Sequence, residues 1–126
     1  SGKMLDFYCS YGCLSYWFHI NTKEMTVIGY DKKEYPIEIA TNCYSKDQRI
    51  KFTNNEEILD YDYDLVAIKN CEKSQSEKLN KCLNSAKYVI ILNKNKALIE
   101  ELCPALSEFK EETSDNVYTL LKKNLK

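Results

Sequence analysis

Leu65-Val66-Ala67-Ile68, the stretch Ser74 to Ala86, and Tyr88-Val89-Ile90-Ile91-Leu92 decide how this chain of 126 residues is read. The two short apolar runs are wholly aliphatic apart from Tyr88, as strands covered on both faces are. Between them Leu79, Cys82, Leu83 and Ala86 recur at helical spacing. Ser74 followed three residues later by Glu77 has the pattern of a capping box. Strand, helix and strand in that order make a βαβ unit, so the two strands should run parallel and lie adjacent or nearly so.

Toward the C-terminus, Asn95 to Phe109 continues helical spacing through Leu98, Leu102, Leu106 and Phe109, with a kink or restart expected at Pro104. Ser114 or Asp115 is placed to cap a last helix carrying Val117, Leu120 and Leu121, ahead of a lysine-rich tail. Toward the N-terminus, residues 5 to 53 read as strands. Leu14 to Ile20 and Met25 to Tyr30, separated by Asn21-Thr22-Lys23-Glu24, suggest a hairpin. Tyr35 to Ala40 alternates like a strand, and Pro36 pushes it to an edge. Arg49 to Phe52 is a further short strand. The expected fold is mixed α/β: an N-terminal hairpin and strand region, the βαβ unit, and C-terminal helices packed on a mixed sheet. Residues 1–3 read as a cloning remnant and 4–126 as a single domain, a C-terminal fragment of something longer.

Composition narrows the function. Lys and Arg total 18 against 19 Asp and Glu, a net charge of −1, so no single-sign field draws nucleic acid or an anionic membrane. Arg49 is the only arginine, which disfavours phosphate and base-edge reading. No apolar stretch is long enough to span a bilayer. The six cysteines, Cys9, Cys13, Cys43, Cys71, Cys82 and Cys103, contain no Cys-x-x-Cys pair and read as free thiols in a reducing compartment. Cys9, Cys13, Cys43 and His19 are too scattered for a zinc site. His19 beside a cysteine thiolate is a conceivable catalytic pair, but a structural histidine fits the aromatic segment better. The acidic run Glu56 to Asp64 lacks the oxygen spacing of a calcium loop.

A nucleotide-binding βαβ unit needs glycine in the turn after a strand, so that backbone amides can close on phosphate. The three glycines are Gly2, Gly12 and Gly29, and none follows Leu65–Ile68 or Tyr88–Leu92. No catalytic residue, metal or cofactor is therefore expected. What remains is apolar surface. Ten tyrosines and Trp17 favour interfaces. A groove between two C-terminal helices could accept a partner helix, with Leu102, Leu106, Phe109, Val117, Leu120, Leu121 and Trp17 as the contact set.

The Lys/Asn/Ile/Tyr-rich, glycine-poor composition, Tyr16-Trp17-Phe18-His19-Ile20 and Val117-Tyr118-Thr119-Leu120-Leu121-Lys122-Lys123 together resemble the C-terminal domain of poxvirus DNA polymerase processivity factors. That resemblance implies a non-catalytic domain that docks on a helix of the catalytic polymerase subunit in support of viral DNA replication. It implies a host-cytoplasmic viral factory as location. Binding to uracil-DNA glycosylase would use parts absent here. The alternatives are a degenerate α/β enzyme domain of nucleotide or S-adenosylmethionine type, and a weak single-strand nucleic-acid binder.

Overall fold

A computed structural model describes residues 2–125. The chain runs β1 (Gly2–Phe7), α1 (Cys13–Asn21), β2 (Met25–Tyr30), α2 (Glu34–Tyr44), β3 (Ile50–Thr53), β4 (Leu65–Ile68), α3 (Lys73–Cys82), β5 (Tyr88–Leu92), α4 (Lys96–Leu102), β6 (Phe109–Ser114) and β7 (Tyr118–Lys123). Short 3-10 turns at Glu56–Asp60 and Pro104–Glu108 lead into β4 and β6. The strands form one sheet in the order β3-β2-β1-β4-β5-β7-β6. β1 to β5 pair parallel with one another, and β7 pairs antiparallel with both β5 and β6. The mixed α/β class, and the parallel β4–α3–β5 unit, stand as the sequence implies.

The order reverses at β1: the chain first winds toward β3, then crosses back to β4 on the other side. Right-handed crossovers in opposite directions put helices on opposite faces. One face is a continuous core in which Leu5, Phe7, Val66, Ile68, Val89, Ile91 and Leu121 meet Leu79, Cys82 and Leu83 of α3 and Ile99 of α4. The other face carries α1 and α2, over Met4, Val27, Ile50, Phe52 and Ala67.

Several sequence expectations fail in instructive ways. Leu14–Ile20 is not a hairpin strand but most of α1; the apolar Leu14 and Phe18 are four apart, and so are the buried Ser15 and His19. Aromatic content raises strand propensity, but tertiary packing overrides it. Tyr35–Ala40 lies in α2, where Pro36 falls in the first turn and loses no helical hydrogen bond. Helix α3 begins at Lys73 with Glu72 as its cap residue, so Ser74 lies inside it. The expected last helix is β7, and Phe109 opens β6. Leu120 and Leu121, adjacent in a strand, point to opposite faces. The groove between two C-terminal helices therefore does not exist. Gly2 and Lys3, read as a remnant, pair with Met25 and Thr26 as the start of β1; Ser1 and Lys126 lie outside the described residues.

Candidate functional site

In a doubly wound sheet the loops at the carboxyl ends of the strands meet at the point of reversal, here the end of β1. The segment after β1, Tyr8-Cys9-Ser10-Tyr11-Gly12, has left-handed backbone at three alternate residues: Tyr8 at φ 66°, Ser10 at φ 53° and Gly12 at φ 86°. Only the last is glycine. A Cβ at Gly12 would lie 2.7 Å from the Phe52 ring and 3.0 Å from the Ala40 methyl. The coil is fixed by backbone bonds from Cys9 N to Tyr30 O at 2.9 Å and from Gly12 N to Cys9 O at 3.0 Å. A tyrosine held at positive φ costs on the order of 1–2 kcal/mol, and strain of this kind concentrates at functional sites.

Asp31 follows directly on β2 and faces this loop. Its Oδ2 accepts from Ser10 N at 3.0 Å and its Oδ1 from Lys33 N at 3.0 Å. Asp31 is itself buried, only 4% exposed, and these bonds use one acceptor position on each oxygen of the about four that a carboxylate has. Asp31 lines an open cleft of about 560 Å³ together with Tyr8, Ser10, Tyr11, Lys33 and Tyr35. Beside it the Tyr8 phenol adjoins Glu72, and burial, reinforced by that carboxylate, pushes the phenol's pKa up. Glu72 pairs with Lys32 at 2.5 Å, and the ammonium holds its carboxyl below the usual range. Because β1 lies between β2 and β4, the Lys32–Glu72 pair passes over the end of β1. Both side chains are partly solvent-exposed, and such pairs are weak.

Beneath the loop sits a buried ionic cluster. Asp6, on the α1 face of β1, is completely buried. Its Oδ2 accepts from Ser15 Oγ at 2.7 Å and lies 3.6 Å from Lys69 Nζ, while Oδ1 has no partner. Burial raises the Asp6 pKa; Lys69 and Ser15 oppose that shift. Lys69, at the end of β4, also donates to Cys9 O at 3.2 Å, so one ammonium ties the loop to the carboxylate below it. Gly29 makes the cluster possible: a Cβ there would stand 3.0 Å from Ser15 Oγ and 2.6 Å from the Phe52 ring.

The residues singled out in the sequence lie elsewhere. Leu106, Phe109 and Leu121 are buried in the core, and Leu102 packs partly against it. Val117 is exposed beyond β6, while Trp17 and Leu120 line an apolar hollow on the α1 face. They form no common patch. His19 is buried 3.9 Å from Asp47 rather than beside a thiol. Burial pushes the Cys9 thiol up, against any role as a thiolate. All six cysteines are free, and no metal-holding cluster occurs among the described residues. No described helix is long and apolar enough to cross a membrane. No glycine follows β4 or β5, the strands whose turns the sequence reading considers; Gly12 follows β1, where the strand order reverses. In the sequence, the signal for a candidate site there is Asp6-Phe7-Tyr8-Cys9-Ser10-Tyr11-Gly12 with Asp31 just after β2.

No protein-family profile matches this sequence, and no curated protein does. Solved structures do. A structure of the bifunctional kinase-methyltransferase WbdD superposes over 98% of this chain with a TM-score of 0.69 and 15% identity. This chain spans only 35% of that protein. Fibrillarin, in its complex with Nop5p, matches over 98% of this chain and 73% of its own, with a TM-score of 0.69 and 10% identity. A putative rRNA-methylase from Clostridium thermocellum matches over 97% and 86%, with a TM-score of 0.72 and 12% identity. These likenesses overturn the resemblance to a viral processivity factor, and with it the polymerase-docking, DNA-replication reading. The same likenesses overturn the expectation of a non-enzyme, which rests on the missing glycine turn, the missing hydrolase motifs and that resemblance. What the structures share with this chain is the fold of methyltransferases.

Proposed function

We propose that this domain binds a nucleoside cofactor of the S-adenosylmethionine type at the carboxyl ends of β1 and β2, as the cofactor-binding part of a methyltransferase. The observation that carries this reading is Asp31: a carboxylate at the end of β2, beside the point of strand reversal, lining an open cleft with acceptor positions to spare. Vicinal ribose hydroxyls are what such a carboxylate accepts, and Tyr8, Tyr11 and Tyr35 offer rings against which a base can stack.

The residues present fit the nucleoside end of the group. The cleft of about 560 Å³ falls in the range of small-molecule sites. Toward β4 the Lys32–Glu72 pair covers the end of β1, with both side chains partly exposed. When bound, S-adenosylmethionine supplies an activated methyl group on a sulfonium. The chain's own part is to hold the nucleoside through Asp31, to shape the loop through the Lys69 bond to Cys9 O, and to cover the site with Tyr8 and Glu72.

Calorimetric titration with S-adenosylmethionine and S-adenosylhomocysteine tests this. Saturable binding is expected, and Asp31→Asn should weaken it roughly 10- to 100-fold, the effect of losing hydrogen bonds to a charged group. Circular dichroism verifies that the variant is folded. Absence of binding to either compound, or equal affinity in a folded Asp31→Asn, contradicts the proposal. Glu72→Gln should leave affinity unchanged or raise it a few-fold; a large loss would mean that Glu72 holds the ligand rather than covers its site.

A further inference from the structure

The cleft of about 560 Å³ beside Asp31 is built from the connections after β1 and β2 and the first turn of α2. Tyr8, Ser10 and Tyr11 come from the first of these, Asp31 and Lys33 from the second, and Tyr35 from the helix. Among the described residues, none from the connection after β4 lines it. A nucleoside whose ribose meets Asp31 therefore has tyrosine rings around it, and the end of β1 on its β4 side.

An S-adenosyl compound is a nucleoside with an amino-acid tail at its 5′ end, and the tail carries a carboxylate and an ammonium. Each needs an opposite charge or hydrogen bonds once it leaves water. Across the end of β1 the groups that could serve are already taken. Lys32 Nζ and Glu72 Oε2 stand 2.5 Å apart there, and the Tyr8 phenol hydrogen-bonds to the same carboxylate. The loop amides are committed as well: Cys9 N to Tyr30 O at 2.9 Å, Ser10 N to Asp31 Oδ2 at 3.0 Å and Gly12 N to Cys9 O at 3.0 Å. Lys69 Nζ is held between Cys9 O and Asp6. Asp6 Oδ1 has no partner, but Asp6 is completely buried beneath the loop and lines no part of the cleft. Lys33 and Glu34 stand on the rim, exposed, where single charges contribute little.

We infer that the Lys32–Glu72 pair, with Tyr8 against it, makes this a site for the nucleoside alone, indifferent to the amino-acid tail. While the two side chains satisfy each other, neither is available to the opposite charge on a ligand. The nucleoside supplies the affinity, and the tail of an S-adenosyl compound stays in solvent. This specificity rests on the cleft being the nucleoside site, and it adds the ligand class: neutral adenosine-type nucleosides, of which 5′-methylthioadenosine is the simplest sulfur-bearing case. Lys32 and Glu72 are then the residues that set specificity, and Asp31 the one that sets affinity.

5′-Methylthioadenosine and S-adenosylhomocysteine share the nucleoside and the thioether sulfur and differ by the tail. Calorimetric titration of the whole chain with each compound therefore isolates what the tail contributes. Dissociation constants within about threefold of each other are expected. Binding of S-adenosylhomocysteine about tenfold tighter or more overturns the indifference to the tail and leaves the nucleoside site standing. No saturable binding of either compound overturns both. Glu72→Ala, checked for fold by circular dichroism, frees the Lys32 ammonium for the tail's carboxylate. It should move the ratio of the two constants toward S-adenosylhomocysteine by about 3- to 10-fold. An unchanged ratio in the folded variant overturns the role of the pair.

Discussion

Among the described residues, Lys69 and Asp6 form the one buried ion pair near the proposed site, and its asymmetry makes it testable. Asp6 is fully enclosed, so removing its partner leaves an uncompensated charge. Lys69→Met should destabilise the fold by about 3 kcal/mol at pH 7 to 8, measured by urea unfolding. The sign follows from linkage: the folded pKa of Asp6 lies above its unfolded value, and without Lys69 it rises further. Below that pKa the carboxyl is neutral and the penalty fades, so the loss should be smaller at pH 4 to 5. Gly12 makes a second residue-scale prediction. Gly12→Ala places a Cβ against Phe52 at positive φ, and should lower stability by roughly 2–4 kcal/mol, visible as a lower urea midpoint. In the sequence Gly12 was one unattached glycine. Its role became visible only once β1 was recognised, because the conformation that demands glycine belongs to the turn, not to the residue type.

At the scale of elements, the parts legible in the sequence were those whose own pattern settles them. β4 and β5 are uninterrupted apolar runs, and α3 carries its core stripe at Leu79, Cys82 and Leu83, so local periodicity and tertiary packing agree. The misread elements have two competing patterns. Leu14–Ile20 is aromatic like a strand yet has helical spacing, and the buried Ser15–Asp6 bond draws it into α1. Val117–Leu121 allows a helical stripe, but the turn at Asp115 decides for a hairpin: Oδ1 accepts from both Val117 N and Tyr118 N. These bonds hold the Asp115 carboxyl below its usual range. Its folded pKa is depressed, so its contribution is present above the unfolded pKa and lost as pH falls through the folded value. Asp115→Ala should therefore speed amide exchange in β6 and β7 at neutral pH, with a smaller difference from wild type near pH 3. Equal exchange in both proteins at neutral pH would show that the cap does not hold the hairpin.

At the scale of the molecule, strand order places chemistry that no local motif announces. The reversal at β1 brings Tyr8, Asp31 and Glu72 to one edge from three separate connections, and it leaves the face over β5 and β7 open on the side of α1. Neither consequence is visible before the order β3-β2-β1-β4-β5-β7-β6 is known. That order also reconciles a glycine-poor chain with a ligand cleft: left-handed backbone at Tyr8 and Ser10 reproduces the coil that glycine permits, at the cost of strain. The edge at β1 and β2 is the proposed nucleoside site. Amide chemical-shift mapping on adding S-adenosylhomocysteine tests it most directly. Saturable shifts centred on Ser10, Tyr11, Asp31 and Lys33 are predicted. Shifts absent there, or confined to residues on the opposite edge of the sheet such as Met25 and Lys87, would contradict it.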